Sequence, residues 1–182
     1  TMPGRFFTQK FLRDAVDAGC EYAIIEMTSE GARFHRHVGV EMDALIFTNL
    51  SPEHIESHGS FENYKQAKLK LVKHLAKSKK PNRLSIANTD GKHGYSFLIH
   101  TVDKNISYSL KDIQLLSETA TGSIISYKDV SIHIPLPGKF NIANALAAIK
   151  LAEEINIPLN IVKDGIESLT QIRGRVEKVD AG

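Results

Sequence analysis

The stretch ALIFTNLSPEHIESHG, Ala44–Gly59, decides how the chain is read. Its first four residues are a continuous apolar run of the kind a parallel sheet buries on both faces, and the run stops at Thr48 and Asn49. Two other segments repeat the arrangement: YAIIEM, Tyr22–Met27, carries Glu26 near its end, and LSIAN, Leu84–Asn88, runs into Thr89 and Asp90. Helical spacing fills the gaps between them. Phe7, Phe11, Leu12, Ala15 and Val16 predict a helix closed by Gly19, and NYKQAKLKLVKHLAK, Asn63–Lys77, predicts a longer one. Helices alternating with buried strands imply an α/β domain built on a mostly parallel, Rossmann-like sheet. In such sheets ligands bind beyond the carboxyl ends of the strands, which makes these polar clusters the expected site; the alternative is that the strands simply end in polar loops.

Between Tyr95 and His133 the texture changes. YSFLIHTV, SYSL, IQLL, SIISY and VSIHI are short β-rich pieces separated by turn residues, and they predict a small antiparallel meander. PLPGKFN then opens a helix over about Asn141–Glu154 with Ile142, Ala145, Leu146, Ile149 and Ala152 on one face, and Pro158 precedes another over about Asn160–Leu169. The tail RGRVEKVDAG reads as an exit linker.

With 182 residues, 42% of them hydrophobic, the chain can bury one substantial core. A net charge of +2, with only KSKK as a lysine run, excludes the dense basic stripe of a nucleic-acid binder. Cys20 is the single cysteine, so there is no internal disulfide framework, and a reducing, cytoplasmic setting is expected. No apolar run approaches the ~20 residues of a membrane helix, and TMPGRFF lacks the apolar region of a signal peptide. The opening reads as the interior of a longer protein.

His54 and His58 stand four residues apart, a spacing that can place paired zinc ligands on one helix face. The helical zinc-protease motif, however, sets Glu directly after its first His, where this chain has Ile55, so a structural or surface role competes with metal binding. Lys68 is more informative. On the helix that carries Tyr64, Leu71, Val72 and Leu75 as its apolar stripe, Lys68 falls inside the stripe, while Lys70, Lys73 and Lys77 fall opposite. Either its stem snorkels along apolar surface, or its amine is aimed at phosphate, carboxylate or metal, or is itself chemically altered. PGKFN and DGKHG contain Gly-Lys without the spacing of a triphosphate-binding loop and read as turns.

Taken together, these stretches resemble the central domain of the Mur ligases, ATP-dependent amide-forming enzymes of peptidoglycan precursor synthesis. The family pattern E-V-S-S-H, an Arg ten residues after the Glu, T-N-L-x-x-D-H-x-x-x-H-G and Y-x-x-A-K appears here in order as EMTSEG, Arg36, TNLSPEHIESHG and YKQAK. GKFNIANALAA and GRVEKV match two later motifs, so the resemblance covers nearly the whole chain. It is strongest to the branch that adds a diamino acid to UDP-N-acetylmuramoyl-L-alanyl-D-glutamate. Residues 1–175 would then be the central, ATP-binding domain without its phosphate-loop segment, and 176–182 the start of a linker to a C-terminal domain; such a piece is expected to be inactive alone.

The resemblance implies roles residue by residue. Glu26 and His54 would hold a magnesium ion that bridges ATP and the acceptor, and Lys68 would be carbamylated, helping to hold a second ion or to orient the γ-phosphate. Thr1, Thr28 and Arg36 match contacts to the UDP-muramoyl-dipeptide, while Asn144 and Arg175 match residues near the nucleotide. The implied reaction forms an acyl phosphate that the diamino acid's amine then attacks. Thr28, Glu30, Met2 and Glu53 depart from the family's Ser, His, Thr and Asp, which leaves the metal pair but loosens the assignment of the acceptor. Two other readings compete: another ligase of the superfamily, of folylpolyglutamate or cyanophycin synthetase type, or a binding module that has lost ATP.

Overall fold

The computed structural model describes residues 3–51 and 55–169. In chain order these form α1 (Arg5–Asp17), α2 (Ser29–Arg33), β1 (Ala44–Phe47), α3 (Ile55–His58), α4 (Phe61–Leu75), β2 (Leu84–Asn88), α5 (Tyr95–Leu98) and β3 (Lys104–Tyr108). A 3₁₀ turn at Leu110–Asp112 leads to β4 (Gln114–Glu118), β5 (Ser123–Tyr127), β6 (Val130–Ile134), α6 (Lys139–Glu154) and α7 (Leu159–Glu167). The fold class is as expected: β1, β2 and β3 make a parallel sheet in that order, and β4, β5 and β6 a separate antiparallel one.

Alternation along the parallel strands supplies both layers. Ile46, Ile86 and Ile106 lie in one row of the register, on the face that joins Leu146 and Ile149 of α6 and Ile125, Ile132 and Ile134 of the antiparallel sheet in one core. Phe47 and Ala87 point the other way, toward Leu69 and Val72 of α4 and Phe97 of α5. At the opposite end of the sheet the Arg83 guanidinium donates to both carboxylate oxygens of Asp103, at 2.8 and 3.1 Å, and holds that carboxyl down to about 2.

Two expectations are corrected. Tyr22–Met27 forms no strand and pairs with none among the described residues, and Ile24 is 94% exposed. A strand needs a neighbour to form its ladder; between this segment and β1 lies instead a cleft of about 1570 Å³ lined by Ile25, Met27, Leu45, Phe47 and Leu71. The meander is also shorter than its pattern suggested. Tyr95–Leu98 turns as a helix because Phe97 stacks on Phe47 at 3.8 Å and its carbonyl accepts from the buried Ser85 hydroxyl, and the strand that follows joins the parallel sheet.

His37, 4% exposed, lies beside His74 with ring centroids 4.9 Å apart, and its Nδ1 is buried without a hydrogen bond. Burial first, then the neighbouring His74, His35 and Lys70, lowers its pKa from 6.5 to about 4. An unfolded chain therefore binds a proton that the folded chain refuses, and stability falls as pH drops from about 6.5 through about 4. Urea unfolding should show about 2–3 kcal/mol less stability at pH 4 than at pH 7 from this group, and His37→Phe should flatten that part of the slope. Leu146, fully buried on α6, should lose about 2–5 kcal/mol on substitution by Ala, whereas Val16→Ala at an exposed position should stay within about 0.5 kcal/mol in the same measurement.

Candidate functional site

β1 and β2 end side by side because their register pairs Phe47 with Ala87. Their ends frame a small cleft of about 190 Å³ lined by Thr48, Asn49, Ser51, Asn88, Lys92 and His93. DGKHG is the turn expected of it, and at Gly94 a Cβ would sit 1.9 Å from the Asn88 carbonyl oxygen, so only glycine lets the turn fold back onto β2. Asp90 is engaged elsewhere. Its carboxylate accepts from the Ser109 hydroxyl at 2.5 Å and the Leu110 amide at 2.9 Å, which anchors the 3₁₀ turn.

Lys68 is turned as its helical position requires. It is half-buried while Lys70, Lys73 and Lys77 are exposed, and its Nζ donates to the Asn49 carbonyl at 3.4 Å and stands 5.2 Å from the Tyr64 ring centroid. The amine is thus directed at the end of β1 and does not merely extend to solvent. Tyr64, 4% exposed, is fixed in the core, and Ser60 caps the helix by accepting from the Asn63 amide at 3.1 Å.

Glu26 lies near the end of Tyr22–Met27 and is exposed; two residues on, the Thr28 hydroxyl accepts from the Gly31 amide at 3.0 Å and caps α2. α2 packs against α4, which brings the end of this segment to the helix that carries Lys68. The Arg36 guanidinium lies 5.7 Å from the Phe34 ring, just past α2. Asn144 is exposed on α6 and lines neither cleft, and the buried asparagine of that helix is Asn141, which donates to the Pro137 carbonyl at 2.8 Å. Thr1, His54 and Arg175 lie outside the described residues.

One contact escapes sequence reasoning. The ring of His58 meets the Ser29 hydroxyl at 3.0 Å, with both residues buried, so α3 is tied to α2. Its only signal was the placing of His58 four residues beyond His54, which pointed to a supporting role without naming the partner.

The fold and these residues define an α/β domain with polar groups at the carboxyl ends of its parallel strands. Residues 1–152 match the Mur ligase middle domain, and the chain belongs to that family. It is 31% identical to the UDP-N-acetylmuramoyl-L-alanyl-D-glutamate–2,6-diaminopimelate ligase of Clostridium tetani, across all of this chain and 38% of that protein. It is 29% identical to the corresponding L-lysine ligase of Staphylococcus aureus, over 99% of this chain and 38% of the relative. The chain therefore spans well under half the length of these curated relatives. Among solved structures, a UDP-N-acetylmuramoyl-L-alanyl-D-glutamate–2,6-diaminopimelate ligase superposes over 95% of this chain and 37% of its own with a TM-score of 0.79 at 24% identity, a likeness of fold. A pseudomurein peptide ligase type C from Methanothermus fervidus matches 84% of this chain and 39% of its own with a TM-score of 0.61 at 18% identity. Among the described residues no helix is long and apolar enough to cross a membrane.

Proposed function

We propose that the chain is the central domain, over residues 1–175, of an ATP-dependent cytoplasmic ligase that adds a diamino acid to UDP-N-acetylmuramoyl-L-alanyl-D-glutamate. Residues 176–182 then begin the linker to a further domain. The observation that carries this reading is Lys68 turned inward, with its amine at the Asn49 carbonyl. That is where a carbamylated lysine would face a polyphosphate and its metal ion. Relatives of both diaminopimelate and lysine specificity match to a similar degree, which supports a diamino acid as the class of incoming substrate.

The residues present suit a hard cation. The Glu26 carboxylate, the Thr48 hydroxyl and the Asn49 carbonyl are oxygen donors, and among the described residues no group of three His, Cys, Asp or Glu side chains is placed to hold a metal ion. Such a donor set fits magnesium completed by phosphate oxygens and water, with Glu26 and His54 as the protein ligands. When bound, ATP with its magnesium supplies the phosphoryl group that activates the acceptor carboxylate as an acyl phosphate. The chain's own work is placement: Thr1, Thr28 and Arg36 hold the uridine-linked acceptor, Asn144 and Arg175 the nucleotide, and Lys68, as a carbamate, the charged groups between them.

The full-length polypeptide that carries this chain should release phosphate only when ATP, the UDP-muramoyl-dipeptide and a diamino acid are all present. Lys68→Ala should lower kcat about 10²–10³-fold while the melting curve barely moves, because the residue is half-buried and contributes little packing. An unchanged rate in that variant would reject the role given to Lys68.

A further inference from the structure

We propose that His58 is a positioning residue: through Ser29 on one side and Tyr64 on the other, it sets Glu26 and Lys68 in relation to each other. The proposal rests on the function proposed above and adds to it a residue outside the metal and substrate ligands assigned there. His58 is the last residue of α3; Gly59 follows at φ 76°, a left-handed turn that suits glycine, and Ser60 then caps α4. From this joint the ring reaches the Ser29 hydroxyl at 3.0 Å, three residues after Glu26, in a contact where His58 is 7% and Ser29 5% exposed. On its other side the ring lies 5.4 Å from that of Tyr64, over which the Lys68 ammonium stands at 5.2 Å.

The joint is fastened twice more. The Arg33 guanidinium of α2 donates to the Ser57 carbonyl, and the Asn63 side-chain amide of α4 donates to the His58 carbonyl at 3.0 Å. The segment after Glu26, the turn four residues beyond His54 and the helix of Lys68 therefore meet at one buried ring. A buried hydrogen bond is directional, so it fixes the angle as well as the separation of the elements it joins. Glu26 and Lys68 come from separate elements, and this contact couples those elements.

The test uses the full-length polypeptide with Mn²⁺ as the metal and a non-hydrolysable ATP analogue, reading Mn²⁺ affinity by electron paramagnetic resonance alongside steady-state kinetics. His58→Phe keeps a ring against Tyr64 and removes the hydrogen bond; Ser29→Ala removes it from the other side. Each should weaken Mn²⁺ binding about tenfold and lower kcat to a similar extent, with KM for the UDP-muramoyl-dipeptide within twofold. The double variant should show no larger metal defect than the worse single one, because one shared contact is lost. If His58→Phe fails to fold, Ser29→Ala alone decides the question. Melting temperature lowered with Mn²⁺ affinity and kcat within twofold of the parent would overturn the proposal and leave a purely structural pair. Glu26→Gln separates the two readings: if it abolishes Mn²⁺ binding while both positioning variants bind normally, only the present proposal fails; if it binds normally, the metal assignment itself fails.

Discussion

Parallel register across β1, β2 and β3 sets Ile46, Ile86 and Ile106 in one row, and the same register brings Thr48, Asn49 and Thr89 to one edge of the sheet. β2 is the strand on which this depends, since it pairs on both sides and buries both faces, with Leu84 and Ile86 toward α6 and Ala87 toward α4 and α5. A one-residue slip of β1 against it would turn Phe47 away from Phe97 and withdraw the Asn49 carbonyl from Lys68. The candidate site is in this sense a product of core packing. Its polar groups are held where they are because the apolar residues immediately before them fit in only one register.

What the sequence disclosed, and what it withheld, divides along local and non-local physics. The inward turn of Lys68 was legible because helical periodicity is local: with Tyr64, Leu71, Val72 and Leu75 on one face, the direction of residue 68 is fixed by rotation about a single axis. α6 was legible for the same reason, with Ile142, Leu146, Ile149 and Ala152 buried as its spacing requires. Tyr22–Met27 misled because an apolar run describes the residues themselves and not whether another strand lies beside them. Tyr95–Leu98 misled because so short a segment, with three apolar or aromatic residues in four, satisfies either period, and stacking of Phe97 on Phe47, a residue 50 positions distant, decided for the helix. The Ser29 to His58 contact spans 29 positions and obeys no spacing rule, so only the folded chain shows it.

The residues gathered at the strand ends differ in how they are committed. Asp90 is a carboxylate in the expected place, yet both its oxygens are occupied by Ser109 and Leu110, and its charge serves the 3₁₀ turn. Glu26 lies within Tyr22–Met27, which holds no ladder among the described residues, and is exposed, and the hydroxyl of Thr28 already accepts a helix amide. Position in the fold alone thus nominates more groups than can act, as the engagement of Asp90 shows.

Placement by a buried polar contact has a definite physical advantage at such a site. Apolar packing between α2 and α4, of the kind Ala32 and Ala67 provide, is non-directional and tolerates small sliding of one helix over another. Burying Ser29 and His58 removes two polar groups from water, which is unfavourable unless hydrogen bonds are made, so conformations that break their contact are penalised. That asymmetry converts a soft interface into one with a preferred angle. Catalysis that works by placing a carboxylate, a metal ion and a phosphate relative to one another is sensitive to displacements of about 1 Å, and a soft interface alone would not hold them to that tolerance.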